Sequence, residues 1–420
     1  MAASDTSAFK TANPHALSCI LEAAETRNII AATDIFDAQG IKLWAAKQPV
    51  SAELQKKLAN RELREPLESS LIAKDGVHND DLVKGLRAIT EGDSALAPLV
   101  KPYAAKLERI AATLPLQPVV QLLLTATQAA RPVAYQHAIH AMALNGALAA
   151  TSGAEETGLL PAMIAGLVHD LGEMYIGPRM GEADADREMD FVSYQQLVVH
   201  PHVGHLLIKQ LTNYPTSVAT AVAEHHERLD GSGYPRALTA KDISPAGKLL
   251  AVTEAALAAL RDPSAPLLHA SIALRAVPGE FDPVWVGRIS NATYALPESE
   301  AVMEPEDIRA RLGALESLLG RAEREAEGLK AGAGTPGFKQ AADLAAYLLW
   351  RIRLGWNESG LWSVPEPGAM NAAEVEAIED ELYRRLRGVQ RATLMRAGEA
   401  LPVEEMARLR GFCDGLAMEG

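Results

Sequence analysis

The sequence predicts a mainly α-helical protein: a central all-α helical bundle between a small α+β N-terminal module and a helical C-terminal region. Three observations predict this. Apolar residues make up 48% of the chain while aromatics reach only 5%, a composition suited to helices packed through small aliphatic side chains. Ala, Leu, Ile and Val recur at helical spacing through most segments. β-leaning runs bounded by turn residues are confined to the N-terminal part, and 420 residues leave room for two or three domains because single cores stop growing well before that length.

In chain order, NIIAATDIFDAQGIKLWAAKQ at 28–48 sets two β-leaning runs about DAQG, whose Asp and Gly supply turn chemistry, so a hairpin is expected. VSAELQKKLANREL follows, with Ser51 as a candidate helix cap and Glu53 behind it. Residues 1–95 therefore read as a small α+β module. From 96 to 299 successive helices are broken at Arg131-Pro132, TSGAEETG (151–158), IGPRMGEADADRE (176–188) and DGSGYP (230–235). From 300 to 420 the sequence is charged and periodic; KAGAGTPG at 330–337 reads as a linker, with helices expected at 338–355 and 372–397. Their amphipathic faces suit packing or a homodimer.

The formal net charge of -14 argues against a nucleic-acid polymer or an anionic membrane as partner, since both need clustered Lys and Arg. Cys19 and Cys413 lie at opposite ends of the chain without zinc or disulfide spacing. The N-terminus has no basic stretch ahead of an apolar run, and no segment approaches the ~20 apolar residues that span a bilayer. A cytoplasmic protein is expected.

Eight of the eleven histidines fall between 137 and 226. In GLVHDLGE (166–173), His169 and Asp170 end an apolar run, and an imidazole beside a carboxylate is a common ligand pair for Zn, Mn or Fe. One histidine on an apolar helix is more simply a hydrogen-bonded core residue. Five of them, His137, His169, His200, His225 and His226, together with Asp170 on four successive helices, are better explained by convergence on ions. His140 shares the face of His137, His202 and His205 read as solvated or supporting residues, and His15, His78 and His269 lack ligand-like neighbours. In DGSGYP, Gly231 and Gly233 permit positive φ and Tyr234 is pushed to extended geometry by Pro235. Beside the histidine pair, such a loop lets backbone amides approach an anionic ligand.

The order His137, His169-Asp170 in HDLGE, HPHVG at 200–204, HHERLDGSGYP at 225–235 and GEFDP at 279–283 resembles the HD-GYP family, bacterial metal-dependent phosphodiesterases of the HD superfamily that hydrolyse cyclic di-GMP. The resemblance covers about 130–292 and implies an HD-type helical bundle there. It implies His137, His169, Asp170, His200, His225 and His226 as metal ligands, with Asp170 bridging two divalent ions and with His169 and Asp170 at the catalytic centre. Iron or manganese is expected, and zinc or nickel suits the same ligands. Gly233, Tyr234 and Pro235 would shape the rim of the substrate site and present a surface to a diguanylate cyclase domain.

The chain departs from the family pattern at several places. Glu173 stands where the family carries a lysine, adding a ligand or repelling substrate; Glu254 replaces an aspartate as a further metal ligand; and Val133 replaces a carboxylate found with a third ion, so two ions are expected. LRDPSAP replaces the family's Arg-Pro-Tyr-Arg grip and leaves Arg261 as the substrate-binding cation. Two classes of function fit. The first is a phosphodiesterase that hydrolyses cyclic di-GMP to linear pGpG or GMP through a hydroxide activated by two metals, favoured by the unchanged ligand positions. The second is a non-catalytic cyclic di-GMP receptor or signalling scaffold, favoured by the changes at 173, 254 and near 261.

Overall fold

Asn13 starts helix α1 (Pro14–Ala24): its side-chain oxygen accepts hydrogen bonds from the backbone N–H groups of His15 and Ala16 at 2.9 and 3.1 Å. The computed structural model describes residues 7–177, 195–262, 264–294, 303–358, 372–397 and 401–416. Most of the expected break at 176–188, and Pro263 of LRDPSAP, lie outside them. The fold is mainly α, and the contacts divide it into two units, one within residues 1–189 and 196–257 and one within 190–195 and 258–420.

In the first unit, β1 (Ile29–Ala31), β2 (Ile35–Phe36) and β3 (Lys42–Trp44) precede α2 (Ala52–Leu58), α3 (Leu67–Ser70) and β4 (Leu71–Ala73). The expected hairpin is β2 against β3, with Ile35 opposite Trp44. Its turn is set by Asp37, whose Oδ1 accepts from the backbone N–H groups of Gln39 and Ile41, and by Gly40 at φ 83°. The run at 28–36 is split, however, and β1 pairs antiparallel with β4 instead, Ile29 opposite Ala73. Ser51 stands at the N-cap of α2 but its side chain makes no capping hydrogen bond.

The helices α4 (Asn79–Glu91), α5 (Ala97–Val100), α6 (Ala104–Thr113), α7 (Pro118–Ala130), α8 (Pro132–Thr151) and α9 (Glu156–Val168) follow. Pro132 explains the break between α7 and α8: at the first helical position it loses nothing, whereas one turn further in it would remove a hydrogen bond. Next come a 3-10 turn at Leu171–Tyr175, α10 (His200–Leu211), α11 (Thr216–Glu224) and α12 (Pro245–Ala259). Both α8 and α9 are apolar nearly all round, as helices buried on several sides must be.

The second unit holds α13 (Leu267–Arg275), α14 (Pro283–Tyr294), α15 (Pro305–Ala331), α16 (Pro336–Glu358), α17 (Ala372–Ala397) and α18 (Val403–Leu416). Its core joins Ile272 to Leu315, Leu349, Ile378 and Leu382. Glu280 of GEFDP is buried here against Arg385, whose Nε also lies 2.6 Å from Glu381. The stretch expected as a linker is a short helix connection in which Glu405 accepts from Thr335 and Arg408 donates to Ala333 O. Among the described residues no single helix is long and apolar enough to cross a membrane.

Candidate metal centre

Helix packing in the first unit places the candidate ligands. Gly166 lies so close to α8 that a Cβ there would strike the carbonyl of Ala141, which draws the end of α9 against the helix bearing His137. The hydroxyl of Thr253 donates to Asn145 Oδ1 at 2.8 Å, and Asn145 Nδ2 donates to Ala162 O at 2.8 Å. This buried polar link fixes α8, α9 and α12 in register and sets Glu254, the next residue, toward His137. Three of the candidate histidines occupy helix boundaries: His169 follows α9, His200 opens α10 and His225 follows α11.

Their side chains form two groups that share one residue. Asp170 meets His137, His169 and Glu254 in the first and His200, His225 and His226 in the second, each set of ligand atoms lying within 4.8 Å of one another. Asp170 Oδ2 is 3.1 Å from His169 Nε2 and 3.5 Å from His137 Nε2, while Oδ1 is 3.4 Å from both His200 Nε2 and His225 Nε2. Glu254 Oε2 lies 2.9 Å from His137 Nε2 and 3.1 Å from His169 Nε2. His169, His200 and His225 each donate Nδ1–H to the carbonyl three residues back, on Gly166, Leu197 and Val222, at 2.8, 2.6 and 2.6 Å. A carbonyl only accepts, so in each neutral ring the Nε2 lone pair points into the cluster.

This arrangement fits divalent cations. His200 Nε2 and His225 Nε2 face each other at 3.0 Å, and two lone pairs at that distance repel unless a proton or a cation lies between them. Burial lowers the His225 pKa below the ordinary imidazole value, which disfavours the proton. Burial, reinforced by His225 and His200, holds His226 well below it. In the first group burial opposes charge, but Glu254 raises His137, and Asp170 with Glu254 raises His169 well above the usual value. Burial likewise opposes the charge on Asp170 and Glu254, yet His169 holds the first and His137 the second well below the carboxylate range.

The halves therefore differ in what a cation must displace. A raised pKa keeps a proton on His137 and His169 to higher pH, so affinity in the first group rises with pH through and above roughly 6.5. Burial holds His225 and His226 below that value, so these two side chains release fewer protons when a cation binds. Equilibrium dialysis of Mn(II) between about pH 5.5 and 8.5 is expected to show stepwise loading; parallel loading of both ions contradicts this reading.

The other candidates fall around the cluster. Tyr234 stacks on the His226 ring at 4.5 Å, and its backbone N–H donates to His226 O. Gly231 has the expected positive φ, 80°. Gly233 does not: its requirement is clearance, because a Cβ would strike the backbone of His226, Glu227 and Arg228. Glu227 accepts from the backbone N–H groups of Arg236 and Leu238, each at 2.8 Å, and Glu224 accepts from Ser244 N and Oγ, so carboxylates flanking the histidine pair tie down the segment that follows Pro235. Glu173 belongs to neither group. Its buried carboxylate pairs with Arg131 at 3.1 Å. Arg261 lies in the second unit. His140 stays outside both groups, its pKa lowered to about 4 by burial and by His137.

Sequence reasoning missed Asn145, Thr253, Glu224, Glu227 and Arg131, all of which act on ligands or loop through hydrogen bonds that no spacing announces. The Glu in HHE and the Arg ahead of Pro132 were the available signals for two of them.

A family model described as an HD domain matches residues 121–275, the stretch that supplies every ligand above. Residues 121–275 are thus similar to HD domains. Among curated proteins, Cyclic di-GMP phosphodiesterase PA4108 of Pseudomonas aeruginosa is 29% identical to this chain over 154 residues, 36% of each protein. The match thus spans about a third of that relative's length. Among solved structures, Bd1817, a HDG"Y"P protein from Bdellovibrio bacteriovorus, is similar with TM-score 0.34 and 13% identity over 64% of this chain and 96% of that one.

Proposed function

We propose that this chain is a metal-dependent phosphodiesterase that hydrolyses cyclic di-GMP to linear pGpG or GMP. The observation that carries the reading is Asp170, whose two oxygens face two separate groups of buried ligands. His137, His169, Asp170 and Glu254 would hold one divalent ion and Asp170, His200, His225 and His226 the other, iron or manganese being our choice. Bound there, the ions would supply Lewis-acid charge and a water of lowered pKa for attack on phosphorus.

The chain's own contribution is positioning and charge balance. The imidazoles enter as neutral ligands oriented by backbone carbonyls, and only Asp170 and Glu254 bring negative charge. Two carboxylates against two divalent ions leave net positive charge for a phosphodiester, which suits an anionic substrate on a chain whose overall charge is -14. Burial of His169, His200, His225 and Glu254 keeps bulk water from these groups and strengthens their electrostatics. We assign the rim to Gly233, Tyr234 and Pro235, and extend to this chain the substrate in its relative's name. The same rim is our choice of surface for a diguanylate cyclase domain, and the cytoplasm our choice of compartment.

The test is hydrolysis of cyclic di-GMP by protein reconstituted with Mn(II) or Fe(II), with the His169→Ala, Asp170→Ala double variant alongside. Turnover that the double variant loses while keeping its helicity supports the enzyme. Tight cyclic di-GMP binding without turnover supports the second reading, a non-catalytic receptor or scaffold. The specific observation favouring that reading is Glu173, which leaves no lysine at its position and is itself held by Arg131.

A further inference from the structure

We infer that Arg131 and Glu173 are positioning residues for the metal centre: a buried ion-pair strut that sets the spacing between the helix carrying His137 and the turn carrying Asp170. The inference rests on the metal reading above. Arg131 immediately precedes α8, whose early residue His137 is a ligand, and Glu173 lies three residues after Asp170 in the 3-10 turn at Leu171–Tyr175. Arg131 Nη2 and Glu173 Oε2 are 3.1 Å apart, with side-chain exposures of 7% and 2%. At that burial neither charge can be satisfied by bulk water, so the pair holds both elements at one separation.

The turn is well placed to transmit that separation. Gly172 sits against the backbone of α10, where a Cβ would strike His200 O and come within 2.8 Å of Gly204 N. The same turn is anchored from its other side: Thr127 Oγ1 donates to Met174 Sδ at 3.2 Å, Asn13 Nδ2 donates to Tyr175 O at 3.0 Å, and Tyr175 Oη donates to the buried Glu68 at 2.8 Å. Five residues thus meet the helix of His137 through Arg131, the helix of His200 through Gly172, and the N-terminal module through Tyr175. Displacement of Glu173 would move Asp170, the one ligand both groups share. On this reading the glutamate at the family's lysine position serves ligand geometry and not substrate charge.

The test is Mn(II) affinity and the visible absorption of Co(II)-loaded protein for the full chain, Glu173→Gln, Arg131→Lys and the paired variant Arg131→Met, Glu173→Met. Gln keeps the shape and removes the charge; the paired variant removes the ion pair without leaving a buried charge, so it covers the case in which Glu173→Gln does not fold. Glu173→Gln and the paired variant are expected to bind Mn(II) about tenfold more weakly and to show an altered Co(II) spectrum, with Arg131→Lys close to the unaltered chain. A change in thermal stability alone, with affinity and spectrum unmoved in every variant that folds, overturns the strut while leaving the metal centre standing. An unaltered chain that binds no Mn(II) or Co(II) overturns the metal reading and the strut with it.

Discussion

Asp170→Asn is expected to empty both halves of the metal centre. The substitution keeps the size of the side chain and removes the one charge that both ligand groups share. His169, His200 and His225 surround that carboxylate at 3.1 to 3.4 Å, and Glu254 reaches only the first group. Metal content should fall from about two ions per chain to less than one, and cyclic di-GMP hydrolysis by on the order of a thousandfold or more. Elemental analysis after reconstitution, with initial rates on the same sample, reads both. Glu254→Gln is the comparison: it removes charge from the first group alone, so about one ion should remain. Two ions retained by Asp170→Asn would mean that the groups do not share this ligand.

Gly172→Ala is expected to be strongly destabilising. A Cβ at this position would meet His200 O, His200 C at 3.0 Å and Gly204 N at 2.8 Å, all backbone atoms that no rotamer change can move aside. The turn and α10 must separate, at a cost of about 3 kcal/mol, and His200 moves with them. Gly158→Ala is the control. Its Cβ would meet only Ala154 Cβ at an ordinary 3.5 Å within the first turns of α9, so replacing a helical glycine there should stabilise by up to about 1 kcal/mol. Urea midpoints for the two variants should therefore shift in opposite directions. Equal midpoints would show that the close approach at Gly172 is not maintained in solution.

The side-chain cluster was legible because its chemistry is written in residue type. Imidazoles at the ends of apolar helices have no inexpensive place in a core, and His137, His169, His200, His225 and His226 do converge with Asp170 and Glu254. Helix breaks were legible for a similar local reason, as Pro132 shows. What escaped was decided by distance along the chain. β1 finds its partner in β4, beyond α2 and α3, although a nearer run was available for pairing. Asn145 and Thr253 look like ordinary helical residues until packing brings them within 2.8 Å. Gly233 reads as a residue needing a special φ, but it is required for clearance against the backbone of Glu227 and Arg228. Glu173 illustrates the limit most sharply: as a sequence position it is an anion beside a metal ligand, and only the fold supplies Arg131 to neutralise it.

The most direct measurement is anomalous diffraction from crystals of the full chain loaded with Mn(II). Two peaks are expected, one among His137, His169 and Glu254 and the other among His200, His225 and His226, with Asp170 between them. A single peak, or none within reach of Asp170, would contradict a centre built on two ions.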